Sequence, residues 1–240
     1  IRRYAVLPGQ RAVIFTNNDQ GYDAAFALKD AGATVTVVDA RATPDGDRSA
    51  RARQQGIEIL AGHVVVEASG GKAVTGVNLY KLNSQGELAG AAGSRPCDLL
   101  AMSGGFSPVI HLHCQSSSKP VWNEEQSSFL PGKPVQAERS AGACHGIEDL
   151  AACASDGVKA GLDAAMAAGL SKVAIAIPSI SSVKNGSLRP LWEVPHPKPS
   201  SRAPKKFVDL QNDVGASDVH LAVREGFESI EHLKRYTAMG

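Results

Sequence analysis

The sequence predicts an α/β protein: a Rossmann-like parallel sheet with a small antiparallel meander, plus a small C-terminal helical module. Three observations carry this expectation. Two apolar runs rich in β-branched residues, 11–18 (RAVIFTNN) and 33–39 (ATVTVVD), bracket an alanine-rich helical stretch, which is the order of a βαβ unit. Short strand patterns punctuated by Gly70-Gly71 and Gln85-Gly86 come next, as a meander requires. Two short helical patterns close the chain after a proline-rich segment.

Both apolar runs are near-continuous rather than alternating, as parallel strands are when helices bury both faces, and Gly32 ends the helix between them. A second helix is expected over 47–55, then strands at 57–60, 63–68 and 73–82, with a further strand candidate after Gln85-Gly86. Residues 97–103 (CDLLAMS) read as another buried strand that ends at Gly104-Gly105, where the backbone can approach another group closely. Between 147 and 168, Ala151, Ala152, Ala160, Gly161, Ala164 and Ala165 recur at helical spacing, which predicts a long helix able to pack close to a sheet. Residues 178–204 hold six prolines; such a segment is extended and polyproline-like, wraps a surface and separates two units. The patterns at 218–224 and 229–236 meet at Gly226 and place Ile230, Leu233 and Tyr236 on one face of a helical hairpin. No repeat is visible at solenoid periods.

Of the 240 residues, 43% are apolar and 20% charged, enough for one large domain or two modest ones. A formal net charge of +1, with its cations scattered, removes the field that would draw the chain onto nucleic acid or acidic membranes. The longest apolar stretch, around 160–180, is broken by Lys172 and Pro178 and falls short of the roughly 20 residues that span a bilayer. No membrane anchor is expected. Cys97, Cys114, Cys144 and Cys153 show no C-x-x-C pairing, which suits reduced thiols in a cytoplasmic protein. The chain starts at Ile1 without the features of a signal peptide, so a preceding segment is expected.

Four segments carry a family resemblance: 11–25 (RAVIFTNNDQGYDAA), 97–112 (CDLLAMSGGFSPVIHL), 141–157 (AGACHGIEDLAACASDG) and 207–240 (FVDLQNDVGASDVHLAVREGFESIEHLKRYTAMG). Together they resemble the alpha subunit of heterotetrameric sarcosine oxidase. The resemblance implies an internal fragment of a disulfide-reductase-like subunit: a degenerate Rossmann-like inserted domain at 1–96, a returning part of the dinucleotide-binding domain at 97–177, a Pro-rich linker at 178–206 and a helical hairpin module at 207–240. It implies that the family's glycine-rich phosphate loop lies upstream and its folate domain downstream. It further implies oxidation of sarcosine to glycine with formation of hydrogen peroxide and one-carbon transfer to tetrahydrofolate. In the complete enzyme the resemblance places NAD on the alpha subunit, FAD on the beta subunit and FMN at the alpha–beta interface, with beta, gamma and delta subunits as partners. No activity is expected of the fragment alone, and no catalytic residue is assigned within it. The runner-up is the large subunit of a related amine or opine dehydrogenase; a non-catalytic scaffold module is the reading from a different class.

After the first strand, where G-x-G-x-x-G would stand, the residues are Thr16, Asn17, Asn18, Asp19, Gln20 and Gly21. Only the third glycine is present, so Thr16 and Asn18 should crowd a pyrophosphate and Asp19 should repel it. Asp39 ends the second strand, where an acid can bind a ribose, but the unit reads as a retained structural domain. The turn 141–148 (AGACHGIE) feeds a long helix whose free N–H groups and dipole favour an anion. The resemblance implies that Gly142, Ala143, Gly146 and Ile147 line the NAD pocket; a close strand-to-helix packing turn is the alternative. His111, His113 and Cys114 offer imidazole and thiolate ligands, and residues two apart, such as the two histidines, share a face on a strand, but no second ligand pair stands nearby and no metal site is expected. Small modules in related dehydrogenases hold an iron–sulfur cluster through cysteines; the matching residues 208–213 contain none, so no cluster is expected.

Overall fold

A computed structural model describes residues 1, 3–171, 173–200 and 202–240; Arg2, Lys172 and Ser201 lie outside the described residues. Strand β1 (Arg11–Thr16), helix α1 (Gln20–Asp30), strand β2 (Thr34–Asp39), helix α2 (Asp47–Gln54) and strand β3 (Glu58–Ala61) follow the expected order. Both helices end on a left-handed glycine. After α1, Gly32 has φ +94°, its N–H donates to the Lys29 carbonyl, and that of Ala33 donates to Leu28, which satisfies carbonyls that the helix end leaves open.

The parallel sheet has the order β3-β2-β1-β7, where β7 is Leu99–Ser103. It therefore takes its fourth strand from beyond residue 96, where the sequence reading ended the first unit. It also claims β3, which the sequence reading grouped with the meander. The meander is instead β4 (His63–Gly70), β5 (Val74–Leu82) and β6 (Leu88–Pro96), all antiparallel.

The meander corrects the expectation that helices cover both sheet faces. Alternate residues of β1 part company: Ala12 and Ile14 pack with Tyr22, Ala25, Phe26 and Ala52 of the two helices, whereas Val13 and Phe15 pack with Val64, Val77 and Leu79 of the meander. Either cover excludes water, so the strand reads as continuously apolar in both cases. Each fully buried aliphatic or aromatic side chain stabilises by about 1.5–3 kcal/mol, and this three-layer unit holds most of the fully buried side chains.

Beyond β7 the burial thins. A short helix α3 (His111–Gln115) follows, and then a hairpin, β8 (Pro120–Asn123) and β9 (Ser128–Pro131); the sequence reading anticipated neither. A 3₁₀ turn (Gly142–His145) leads to helix α4 (Leu150–Ala167). Its small residues do not seat it on a sheet as expected. No residue of α4 is buried, because the parallel sheet already has both faces covered.

Described residues between 168 and 206 form neither helix nor strand. Part of this segment, residues 184–190, does not stand between units; it lies against the C-terminal ends of β1 and β2, and Leu191 and Val194 pack on the meander side of the core. The end of the chain forms a two-stranded ladder, β10 (Phe207–Asp209) and β11 (Val214–Gly215), and the expected hairpin of helices α5 (Ala216–Arg224) and α6 (Ile230–Thr237). Phe227 and Tyr236 stack across it at 4.4 Å, and Leu233 is buried.

Candidate functional site

In open α/β sheets a ligand lies at the C-terminal ends of the strands. At the end of β1, Thr16, Asn17, Asn18 and Asp19 are all buried, and their polar atoms are engaged within the protein. Asn18 Nδ2 donates to the Asn17 side chain and to the Ser103 carbonyl, Asn18 Oδ1 accepts from the Gln20 N–H, and Thr16 Oγ1 donates to Ser103 O. These bonds tie β1 to β7. A Cβ on Gly105 would lie 3.6 Å from Asn18 Nδ2, an ordinary contact, and one on Gly104 would touch nothing; the left-handed φ of +98° rather than a close approach calls for glycine at 105. Gly21 serves packing: a Cβ there would meet Thr16 Oγ1 at 2.6 Å, the role of the third glycine in a dinucleotide fold.

Asp39 is fully buried and is not free for a ribose. It accepts from Tyr22 Oη at 2.7 Å and from Arg41 Nε and Nη2 at 3.0 and 2.8 Å, while Arg41 Nη1 donates to Asp19 at 2.7 Å. Burial alone would lower the Arg41 pKa, but the hydrogen bonds and charges of Asp39 and then Asp19 hold it above its ordinary value. Burial pushes the Tyr22 hydroxyl up, and the charge of Asp39 pushes it further. The chain's own residues 184–190 cover part of this site: the Gly186 N–H donates to Asp19 Oδ2 at 2.8 Å, Arg41 Nη1 also donates to Ser187 O, and Asn17 Nδ2 donates to Arg189 O. A polar crevice of about 560 Å³ remains in front of this network, lined by Gln20, Phe106, Gln126 and Trp192 among others.

The second turn is open. Ala143, Gly146 and Ile147 line a recess of about 660 Å³ with Phe106, Val109, Leu150 and Cys153. Gly142 and Gly146 have φ +66° and +81°, so both need the left-handed freedom of glycine. Gly146 also packs tightly, since a Cβ there would lie 2.5 Å from Leu130 Cδ2.

The expected anion-binding character is altered by three carboxylates. Asp149 caps α4 by accepting from the Ala152 N–H, and that bond with one from Ser182 lowers its pKa. Asp156 accepts the Gly142 N–H at 2.9 Å and faces His145 Nδ1 at 3.1 Å; the first and then the second hold it below the usual carboxylate range. Glu148 stands exposed beside them. Among the described residues no lysine or arginine lines the recess, so it suits rings and hydroxyls better than a pyrophosphate.

The remaining candidates fall apart. On α3, His111 and Cys114 are exposed while His113 is buried, with Nδ1 2.8 Å from Glu138 and Nε2 accepting from the Gly132 N–H at 3.1 Å. A helix, unlike a strand, does not align residues two apart, and among the described residues no group of three His, Cys, Asp or Glu could hold a metal. Asp209 closes its turn by accepting from Asn212 and from the Gly240 N–H. Sequence reasoning did not find Arg41, Gly186 or Arg189. An arginine two residues past a strand-end acid is a weak signal, and the other two act from more than 140 positions away.

Fold and site together define a Rossmann-like α/β protein with a first crevice partly filled by its own residues 184–190, an open second turn and a small C-terminal module. Residues 203–240 match the sarcosine oxidase A3 domain. The sarcosine oxidase subunit alpha of Corynebacterium sp. (strain P-1) is 38% identical over 98% of this chain and 24% of its own length; that of Rhizobium meliloti (strain 1021) is 36% identical over 100% and 23%. Among solved structures, thioredoxin reductase from Lactococcus lactis aligns at 15% identity and a TM-score of 0.45, over 68% of this chain and 54% of its own. The putidaredoxin reductase–putidaredoxin complex aligns at 18% and 0.43, over 74% and 44%. Along its whole length the chain is similar to sarcosine oxidase alpha subunits, and it spans about a quarter of the length of the curated relatives it matches. Among the described residues, no helix is long and apolar enough to cross a membrane.

Proposed function

We propose that this chain is part of the alpha subunit of a cytoplasmic sarcosine oxidase that works with beta, gamma and delta subunits. The complete enzyme oxidises sarcosine to glycine, forms hydrogen peroxide and passes a one-carbon unit to tetrahydrofolate, using FAD and FMN as well as NAD. The observation that carries this reading is alignment along the whole chain with alpha subunits at 36–38% identity. In this reading the first unit is an insertion in a dinucleotide-binding domain that the residues after β7 resume.

The segment's own contribution is to touch NAD through Gly142, Ala143, Gly146 and Ile147 and to hold subunit architecture. When bound, NAD supplies hydride-accepting chemistry. The residues present fit part of it: Ile147, Phe106 and Leu150 offer apolar surface for a ring, and the carboxylate of Glu148, which lines the same recess, can accept from ribose hydroxyls. The pyrophosphate would be held elsewhere, since that carboxylate repels it.

Ala143 gives the cleanest test because it is exposed and has no left-handed φ. In the assembled enzyme, Ala143→Asp should reduce NAD content at least several-fold with unchanged thermal unfolding. Unchanged NAD content would reject the assignment of this turn, and absence of peroxide from sarcosine in the assembled wild-type enzyme would reject the activity.

A further inference from the structure

Residues 184–189 of the chain occupy part of the crevice of the first unit. Its walls are the loops that follow β1 and β2, where a doubly wound sheet receives a nucleotide. Residues 184–189 lie in it as an extended strap held largely through backbone groups. Lys184 exchanges bonds with Asp47, its carbonyl accepting the Asp47 N–H at 3.0 Å and its N–H donating to Asp47 Oδ2 at 2.8 Å. The Gly186 N–H donates to Asp19 and the Ser187 N–H to Asp45 Oδ1 at 3.2 Å, while Ser187 O accepts from Arg41. Arg189 pairs with Asn17 in both directions, N–H to Asn17 O at 3.2 Å and carbonyl to Asn17 Nδ2 at 2.9 Å. Its guanidinium reaches the Ala40 and Asn83 carbonyls at 2.9 and 2.8 Å.

Two glycines make this seat. A Cβ on Gly186 would lie 2.7 Å from Asp45 Oδ1, 2.9 Å from the Gly46 nitrogen and 3.0 Å from Arg41 Nη1, and one on Gly46 would collide with Asp19 and Gly186. In a dinucleotide fold, glycine lets the backbone approach a pyrophosphate; here glycine on each side lets one backbone approach another. The charge logic is changed to match. Asp19, which would repel a phosphate, accepts a peptide N–H, and Arg41, buried between Asp19 and Asp39, donates to a peptide carbonyl rather than to a phosphate oxygen.

We propose that the degenerate dinucleotide crevice is a peptide-binding site whose ligand is the chain's own segment 184–189. The strap excludes nucleotide from the first unit and fixes the path by which the chain passes on to its C-terminal module.

The test uses the full chain and its Gly186→Ala variant. Gly186 has no left-handed φ, so alanine acts there only through the missing space. In the wild type, amide exchange at Ser187 and Arg189 and tryptic cleavage after Lys184 should be slow, and millimolar AMP or NAD should change neither. In the variant both should rise at least tenfold, with β1 and β2 amides unaltered. Should those sheet amides also lose protection, Arg189→Ala, which meets the sheet side only at carbonyls, should release the strap alone. Cleavage of the wild-type strap as fast as in the variants, or strap release by either nucleotide, would overturn the proposal.

Discussion

The two glycine-punctuated turns of this chain have opposite fates. The loop after β1 keeps the position of a dinucleotide site and loses its chemistry, since its polar atoms are buried and bonded to β7, Arg41 and the strap. The turn before α4 keeps two left-handed glycines and stays open beside a recess. Sequence degeneracy and structural closure go together: once Thr16, Asn18 and Asp19 crowd the loop, a peptide with its own N–H donors satisfies them better than a phosphate could.

The sharpest way to break this contrast is Arg41→Met. It leaves Asp19 and Asp39 buried without their cation, a change that costs about 3–5 kcal/mol, and denaturant unfolding should show the loss while the C-terminal helices keep their amide protection. Gly21→Ala forces a Cβ into the Thr16 side chain and should cost about 1–3 kcal/mol through overpacking, read from the same transition. At the open turn, Asp149→Ala should speed exchange of the Ala152 amide without moving the unfolding midpoint of the sheet, because the bond it removes is local. The smallest effect belongs to the C-terminal module. Asp209 sits at about 2, below its ordinary 3.8, held first by the Asn212 side chain and then by the Gly240 N–H. Because the folded value is the lower one, the stabilisation is complete above pH 3.8 and is lost as the pH falls toward about 2. The Gly240 amide shift should follow that window in an acid titration, and Asp209→Asn should abolish the dependence.

The first unit was legible because its apolar runs are long and its helix stops are glycines: β1, β2 and α2 fall within about two residues of the expected bounds, and α1 ends just before Gly32 as expected. Which cover lay on the second sheet face was not legible, since Val13 and Phe15 read alike under a helix or under β4–β6. The hairpin β8–β9 escaped because its edge-to-face pair, Trp122 and Phe129 at 5.1 Å, sits among polar residues with no strict alternation. Within the candidate sites, the glycine-punctuated turn at 141–148 was visible in the sequence, while its role toward NAD is what the family resemblance implies. The buried Asp19–Arg41–Asp39 network and its strap could not, because they join positions up to 167 residues apart and no local pattern encodes such a contact.

The central claim, that nucleotide meets the turn before α4 and not the crevice after β1, is tested most directly by hydrogen exchange of the full-length subunit with and without NAD. Added NAD should slow exchange at 143–148 and leave 16–21 and 184–189 as they were. Protection appearing at 16–21, or a strap loosened by NAD while 143–148 stays unchanged, would contradict the account.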